Sequence, residues 1–278
     1  MPSASHPPGT PDPAELLDLA VAVASEAADL LAGGQASARA DVATKTSATD
    51  MVTDMDRASE ALVVGRLLGA RPHDAVLAEE GASRDGTSGV RWVVDPLDGT
   101  TNYLYGHPTF GVSIAAELDG RTLVGVVADP TRGEIFTATA GRGAYLNGRR
   151  LAVSGGTDLA SALVATGFSY VAERRARQAR LLVHVLPRVR DVRRHGAAAL
   201  DLCWVACARV DAYYESDLKP WDLAAGALVA SEAGAVVEGL DGPVPGSGSV
   251  LAATPALAEP LRRLLSEALA AADGDDVG

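Results

Sequence analysis

Two aspartates three residues apart, directly after a short apolar run, point to a cation site. Asp95 and Asp98 belong to Asp95-Pro96-Leu97-Asp98-Gly99-Thr100-Thr101-Asn102, which follows Trp92-Val93-Val94. The apolar run predicts a buried strand, and burying unpaired carboxylates costs several kcal/mol each. A cation would remove this cost, since the proline and glycine bend the chain so that both carboxylates and the Leu97 carbonyl converge. Oxygen-only ligands suit Mg²⁺ or Ca²⁺ rather than zinc.

The composition is that of a protein with a full hydrophobic core. The chain has 278 residues, 47% of them hydrophobic, and lacks the run of about 18 apolar residues that a membrane span needs. Its net charge of −12, with 24 basic residues, argues against a nucleic-acid partner. Cys203 and Cys207 lie i,i+4 on a predicted helix and are interpreted as buried small apolar residues. We therefore expect a reduced, cytoplasmic protein with no membrane partner.

Hydrophobic periodicity and turn residues predict an α+β chain in two lobes. Helices are predicted at 13–31 and 50–68, short strands at 75–78 and 91–94, and an antiparallel meander over 110–153. Beyond residue 158, strands at 162–166, 212–214, 235–237 and 250–253 alternate with helices at 172–185, 196–208, 222–233 and 255–271. We expect a disordered leader at 1–12, a single domain at 13–272 with lobes at about 13–155 and about 156–272, and a frayed tail at 273–278.

Three further segments place acids where predicted strands or helices begin or end. They are Asp50-Met51-Val52-Thr53-Asp54-Met55-Asp56, then Glu79-Glu80-Gly81, then Trp221-Asp222-Leu223-Ala224-Ala225-Gly226 with the later Glu232-Ala233-Gly234. Any one of these carboxylates would also suit a solvated surface or a helix cap. Asp222 and Thr100 in particular each stand where an N-cap is expected.

Together these segments resemble the inositol monophosphatase family of metal-dependent, lithium-sensitive phosphatases. The family's first signature, D-P-[IL]-D-G-T-T-N-[FY], matches residues 95–103. Its second, W-D-x-A-A-G with a later E-A-G, matches residues 221–226 and 232–234. The upstream E-E and D-x-V-T-x-x-D elements match residues 79–80 and 50–56. The resemblance implies the family's α+β fold, a layered αβαβα sandwich of the inositol monophosphatase or sugar phosphatase type.

The resemblance also implies a metal centre and a water-activating group. The implied metal ligands are Glu79, Asp95, the Leu97 carbonyl, Asp98 and Asp222, with Asp95 bridging two Mg²⁺ ions and Glu79 holding a weaker third. Two such ions suit the hydrolysis of a phosphate monoester, because they can stabilise the attacking water and the leaving oxygen on opposite sides of phosphorus. The implied catalytic residues are Thr100, Asp56 and Glu79, and the first two would orient and deprotonate the water.

On the substrate side, the resemblance implies contacts to phosphate and to polyol hydroxyls. The implied substrate-binding residues are Gly99, Thr100, Gly196, Ala198, Glu215 and Asp222. Gly99 and Thr100 would offer backbone N–H groups to the phosphate if they open a helix. Ala197 stands where the family usually has Ser or Thr, and His195 is unusual there, which leaves the exact substrate open.

The first functional hypothesis is a Mg²⁺-dependent phosphomonoesterase acting on myo-inositol 1-phosphate or a related sugar-alcohol phosphate. In-family alternatives are histidinol-phosphate, fructose 1,6-bisphosphate and 3′-phosphoadenosine 5′-phosphate phosphatases. A second phosphate would need cations such as Arg193, Arg194 and Lys219. A hypothesis of another class is a regulatory binding protein on the phosphatase fold. Family members are commonly homodimers, so a homodimer is expected.

Overall fold

Helices and strands follow one another largely as the sequence patterns predict. The computed structural model describes residues 11–35, 42–44, 51–240 and 248–274. The helices are α1 (Pro13–Gly34), α2 (Asp54–Ala70), α3 (Thr100–Tyr105), α4 (Ala172–Val185), α5 (Ala198–Ala206), α6 (Pro220–Glu232) and α7 (Pro255–Gly274). The strands are β1 (Val42–Thr44), β2 (Met51–Thr53), β3 (Ala75–Ala78), β4 (Val90–Asp98), β5 (Gly111–Leu118), β6 (Arg121–Asp129), β7 (Glu134–Thr139), β8 (Gly143–Leu146), β9 (Arg149–Arg150), β10 (Leu163–Thr166), β11 (Asp191–Arg193), β12 (Ala212–Ser216), β13 (Val236–Glu238) and β14 (Ser249–Ala253).

The two ends of the chain test the expected leader and tail only in part. Most of the leader predicted at 1–12 lies outside the described residues, as does the end of the tail predicted at 273–278. The part of that tail which is described still belongs to α7, which ends at residue 274. None of the described helices is both long enough and apolar enough to cross a membrane.

Two main sheets form, one from each half of the chain. The larger has the order β3-β4-β5-β6-β7-β8-β9, with β3 and β4 parallel and the remaining neighbours antiparallel. The smaller has the order β11-β10-β12-β14-β13, with β10 parallel to both its neighbours. Strands β1 and β2 pair as a separate antiparallel ribbon. The sequence patterns predicted the meander but not β1 or β11, which are three residues long and too short to show a period. The helix predicted at 50–68 begins only at Asp54, and residues 51–53, expected to be helical, form β2.

The helices form three layers around these sheets. Helices α1 and α2 pack on one face of the larger sheet, and α5 and α6 fill the space between the two sheets. Helices α4 and α7 pack on the outer side of the smaller sheet. The arrangement is the layered αβαβα sandwich expected from the sequence.

The middle helical layer depends on a close approach of α5 and α6. A Cβ atom added at Gly226 of α6 would lie 2.9 Å from the Leu202 Cβ and 3.0 Å from the Ala199 carbonyl oxygen, both on α5. Real Cβ atoms essentially never lie closer than 3.0 Å to other heavy atoms. The glycine that ends the W-D-x-A-A-G segment therefore sets the spacing of the two helices that carry one wall of the site.

Helix α2 begins with a reciprocal cap. The Thr53 hydroxyl accepts hydrogen bonds from the Met55 and Asp56 amides at 3.1 and 3.3 Å, and the Asp56 carboxylate accepts one from the Thr53 amide at 2.8 Å. Such a capping box satisfies amides that lack an acceptor within the helix. Thr53 is therefore the N-cap of α2, and the cap fixes Asp56, which is buried, at the start of the helix.

Candidate active site

The first carboxylates of the site lie at an irregularity in β4. Asp95 pairs with Ser113 and Asp98 with Gly111, and the register shifts between them. A bulge of this kind bends the strand and redirects its side chains. The Asp95 side chain accepts a hydrogen bond from the Leu97 amide at 3.0 Å. The bulge thus places two aspartates and the Leu97 peptide in one buried segment at the end of β4.

Four acidic side chains from distant parts of the chain influence one another here. Burial raises the pKa of Asp95 well above its ordinary value, and the charges of Glu79, Asp98 and Asp222 raise it further. The Glu79 and Asp95 carboxyl groups also share a hydrogen bond. Burial likewise raises the pKa values of Asp98 and Asp222. The carboxylates of this cluster repel one another, and a bound cation would reduce that repulsion.

Asp98 also caps a helix of the opposite lobe. Its two carboxylate oxygens accept hydrogen bonds from the Ala198 and Ala199 amides, at 3.1 and 2.8 Å, in the first turn of α5. These bonds oppose the effect of burial on the pKa of Asp98. A carboxylate at a helix N-terminus is favourable. Asp98 therefore joins the two lobes at the site.

Asp222 is not the N-cap that its sequence position suggested. Helix α6 begins two residues earlier, at Pro220, because proline is well tolerated in the first turn. From the third position of the helix, the Asp222 carboxylate accepts a hydrogen bond from the Lys219 amide at 2.6 Å. This contact closes the helix start and places Asp222 at the site cleft.

Thr100 and Asp56 are in direct contact, as expected. The Thr100 hydroxyl donates to Asp56 Oδ1 at 2.9 Å and lies 3.2 Å from the Leu97 carbonyl oxygen. Asp56 Oδ2 accepts a second bond, from the Thr53 hydroxyl at 2.5 Å. Thr100 is the first residue of α3 and not its N-cap, which is Gly99. Its hydroxyl is therefore held by Asp56 with its lone pairs available for another donor.

Gly99 is required by backbone geometry. Its φ is +90°, in the left-handed region. A Cβ atom there would lie 3.0 Å from the Thr109 carbonyl oxygen and 3.3 Å from both the Gly196 carbonyl oxygen and the Ala197 Cβ. The absence of a Cβ therefore leaves room for Thr109 and for Gly196 and Ala197 of the other lobe.

A cleft of about 280 Å³ opens beside these acids. Its lining includes six of the residues expected to bind substrate or metal, namely Asp98, Gly99, Gly196, Ala198, Glu215 and Asp222. Two of the cations considered for a second phosphate, Arg194 and Lys219, also line it. The third of those cations, Arg193, does not line the cleft, because it forms an ion pair with Asp191. A neighbouring cavity of about 360 Å³ lies past Glu215 and is lined by Arg174 and Arg177 among others.

Glu215 is held at the cleft by two contacts that the sequence did not reveal. The Tyr213 hydroxyl donates to Glu215 Oε2 at 2.6 Å. The carboxylate packs against Gly167, where an added Cβ would lie only 1.8 Å from Oε2. Burial raises the pKa of Glu215 to about 8, although the Tyr213 hydrogen bond opposes this. Any residue larger than glycine at position 167 would displace the carboxylate.

Ala197 and His195, the two residues that depart from the family pattern on the substrate side, are not among the residues that line the cleft. Ala197 is only 1% exposed and is the N-cap of α5 without a capping side chain. The His195 Nδ1 lies 2.5 Å from Asp201 Oδ1, and its ring packs edge-on against Trp204. A hydroxyl at position 197 would therefore lie at the N-cap position of α5.

Glu232, an acid of the second sequence motif, stabilises the scaffold. Glu232 accepts hydrogen bonds from the Gly141 and Gly143 amides at 2.6 and 2.7 Å, so it holds a turn of the larger sheet.

Ser59 and Glu60 were not singled out by sequence, yet both are buried and contact the acidic loops. Their i+3 and i+4 spacing from Asp56 is the signal that could have revealed them.

Comparison with known proteins agrees with this geometry. The sequence profile of the inositol monophosphatase family matches residues 12–272. The chain belongs to the inositol monophosphatase family. An inositol-1-monophosphatase of Mycobacterium leprae is 44% identical over 274 residues, which cover 90% of this chain and 93% of the relative. A protein named Nus factor SuhB, of Escherichia coli K12, is 42% identical over 229 residues, with 82% and 86% covered.

The fold of this inositol monophosphatase family member has close counterparts among solved structures. The crystal structure of extragenic suppressor protein suhB from Bartonella henselae superposes with a TM-score of 0.86 at 36% identity, covering 90% of this chain and 98% of that chain. Family membership and fold, both expected from the sequence, are therefore confirmed. The roles expected of individual side chains stay predictions.

Members of this family are generally metal-dependent, and the donor set at the cleft fits a hard divalent cation. It consists of carboxylate and carbonyl oxygens, and the repulsion described above identifies where positive charge would be favourable. Among the described residues, however, no three His, Cys, Asp or Glu side chains already surround one point at metal-binding distance. Asp98 and Asp222 hydrogen-bond to backbone amides in this structure.

Proposed function

We propose that this chain is a Mg²⁺-dependent phosphomonoesterase that hydrolyses myo-inositol 1-phosphate or a related sugar-alcohol phosphate. The observation that carries the proposal is the meeting of a buried carboxylate cluster, a Thr100–Asp56 pair and a cleft that ends at Glu215. The 44% identity to a protein named inositol-1-monophosphatase supports the substrate class.

Two or three Mg²⁺ ions would be held by the oxygens of the cluster. The proposed ligands are Glu79, Asp95, the Leu97 carbonyl, Asp98 and Asp222. When bound, the ions would supply Lewis-acid stabilisation of negative charge on the phosphate and the leaving oxygen. The raised pKa of Asp95 supports this assignment, because it reports four acids held close together in a buried place.

The chain's own residues would orient the attacking water and take up its proton. The Thr100 hydroxyl donates its proton to Asp56, so its oxygen is free to accept a hydrogen bond from water. Asp56 is held rigidly by the cap of α2 and would receive the proton through Thr100. Glu79 lies against Asp95 and would complete the water-activating group.

The opposite side of the cleft would recognise the alcohol. Glu215 offers a carboxylate to polyol hydroxyls, and the Gly196 and Ala198 backbone would form the floor beneath the ring. Arg194 and Lys219 also line this side, which keeps a bisphosphate or nucleotide among the alternatives. The cavity beyond Glu215 gives a larger leaving group somewhere to extend.

The deciding experiment is phosphate release from four substrates, each with Mg²⁺ and with EDTA. The substrates are myo-inositol 1-phosphate, histidinol phosphate, fructose 1,6-bisphosphate and 3′-phosphoadenosine 5′-phosphate. We expect Mg²⁺-dependent turnover that is fastest on the inositol phosphate and inhibited by millimolar Li⁺. Faster turnover of another substrate would keep the metal chemistry and change the substrate, whereas no turnover of any would contradict the proposal.

Assembly and location complete the proposal. We infer a homodimer, because family members commonly form one, and a cytoplasmic location, because the two cysteines are free thiols. Light scattering of the purified protein would test the first, and fractionation of cells would test the second.

A regulatory role is a second candidate, favoured by the identity to a protein named Nus factor SuhB. The role would use the surface of the fold and not its carboxylates. An Asp98→Asn protein without phosphatase activity would then still replace the wild-type protein in cells. Loss of the cellular phenotype together with catalysis would count against this candidate.

A further inference from the structure

One buried face of α2 touches both acidic loops of the site. Asp56, Ser59 and Glu60 are spaced i, i+3 and i+4, which places them on the same side of the helix. They are 1%, 0% and 7% exposed. Asp56 contacts Thr100, whereas the other two have no part in the reaction proposed above. Burying a serine hydroxyl or a glutamate carboxylate is unfavourable unless the group forms hydrogen bonds.

Glu60 binds the turn that follows Glu79. Its two carboxylate oxygens accept hydrogen bonds from the Glu80 amide at 2.7 Å and the Ala82 amide at 3.1 Å. The amide of Glu79 itself donates to the Val94 carbonyl oxygen at 3.2 Å. The Glu79 backbone is therefore held on one side by the larger sheet and on the other by Glu60.

Ser59 binds the other loop. Its hydroxyl donates to the Pro96 carbonyl oxygen at 2.7 Å. Pro96 lies between Asp95 and Leu97, within the β4 irregularity. One turn of α2 thus fixes the backbone beside Glu79 and the backbone beside Asp95, although these loops come from separate strands.

We propose that Ser59 and Glu60 are positioning residues. They set the spacing between the loop that carries Glu79 and the loop that carries Asp95 and the Leu97 carbonyl, which together would hold one Mg²⁺. The inference rests on the proposed function, because it takes Glu79, Asp95 and the Leu97 carbonyl as ligands. Removing hydrogen bonds that orient ligands typically weakens metal binding by about 10- to 100-fold. Glutamine at position 60 can accept from only one of the two amides, since its NH₂ group would face the other N–H.

The test measures Mg²⁺ binding to the metal-free, full-length protein by calorimetry, with no substrate present. The variants are Glu60→Gln and Ser59→Ala, and the second changes no charge. The matched control is Asp54→Asn, which removes an exposed acid on the same helix that is paired with Arg57. We expect Mg²⁺ affinity about 10-fold weaker in Glu60→Gln and several-fold weaker in Ser59→Ala. The control is expected to match the wild-type protein.

Two further readouts separate positioning from plain stability. A positioning role raises the Mg²⁺ concentration needed for half-maximal activity, while kcat at saturating Mg²⁺ stays within about 3-fold of wild type. Wild-type Mg²⁺ affinity in both variants, with only a lower free energy of unfolding, would overturn this inference alone. Absence of Mg²⁺ binding by the wild-type protein would overturn the proposed function and this inference with it. If Glu60→Gln does not fold, the Mg²⁺ affinity of Ser59→Ala decides between these outcomes.

Discussion

The two walls of the cleft are built in different ways. The wall from the first half of the chain is held by buried hydrogen bonds from one helix, including those of Asp56 and Ser59. The wall from the second half presents the side chains of Arg194 and Lys219, and Glu215 is held there by one hydrogen bond, from Tyr213, and by packing against Gly167. Under the proposed function, the first wall would carry the chemistry and the second would select the alcohol. Relatives on one fold can therefore share a reaction and differ in substrate.

The strongest test of the first wall is Asp98→Asn. It removes a charge from the proposed Mg²⁺ site, so kcat should fall at least about 10²-fold. The asparagine oxygen can still accept from one of the α5 amides, so circular dichroism should show an intact fold. Near-normal turnover of the purified variant would refute the role assigned to this wall.

Thr100→Ala is expected to have the next largest effect. Removing the hydroxyl breaks the link between water and Asp56, which should lower kcat about 10- to 100-fold. Mg²⁺ affinity, measured by calorimetry, should stay within about 3-fold. Thr100→Ser keeps the hydroxyl and serves as the matched control. Should Mg²⁺ binding collapse instead, Thr100 supports the metal loop and not the water.

Glu215→Gln tests the second wall. Above the pKa of about 8, where Glu215 is ionised, loss of the carboxylate should raise KM for myo-inositol 1-phosphate about 10-fold, which corresponds to about 1.4 kcal/mol. Turnover of p-nitrophenyl phosphate, which has no polyol hydroxyls, should change less than about 2-fold. An equal loss on both substrates would place Glu215 in the chemistry and erase the contrast between the walls.

The pH dependence of KM sharpens the same test. Burial raises the pKa of Glu215 to about 8, so its carboxylate is ionised above that pH and protonated below it. The ionised form is the better acceptor for hydroxyls. KM for the polyol substrate should therefore fall as the pH rises through the pKa of about 8 in the wild-type protein. Glu215→Gln should show no such fall beyond that seen with p-nitrophenyl phosphate.

The smallest effect is expected for Ala197→Ser. Serine would place a side-chain oxygen at the N-cap position of α5, but Asp98 already accepts hydrogen bonds from two amides of that first turn, so the free energy of unfolding should rise by less than the about 0.5–1 kcal/mol of a newly supplied cap. KM for the polyol substrate should stay within about 2-fold, because position 197 is buried and does not line the cleft. Urea unfolding and steady-state kinetics measure the two quantities. A marked fall in KM would return this residue to the substrate pocket.

Sequence patterns alone predicted most of the helices and strands and identified the acidic residues of the candidate site. Helix α4, Ala172–Val185, begins and ends where its hydrophobic period predicts, and the strands of the meander lie between the predicted turns. These features depend on neighbours within a few residues, so local patterns are enough. The motif around Asp95 and Asp98 likewise indicated a cation site, because two acids buried together are unfavourable unless positive charge compensates them.

The tertiary structure alone decided how those acids are held. Asp98 caps α5 about one hundred residues further along the chain, at Ala198 and Ala199. Glu60 reaches the turn after Glu79, and Ala197 lies buried against Gly99. Each of these contacts depends on how the layers stack, and stacking is a sum of many contacts between distant residues. A local pattern such as the spacing of Asp56, Ser59 and Glu60 can place residues on one helix face, but the loops that those residues contact became visible only in the folded chain.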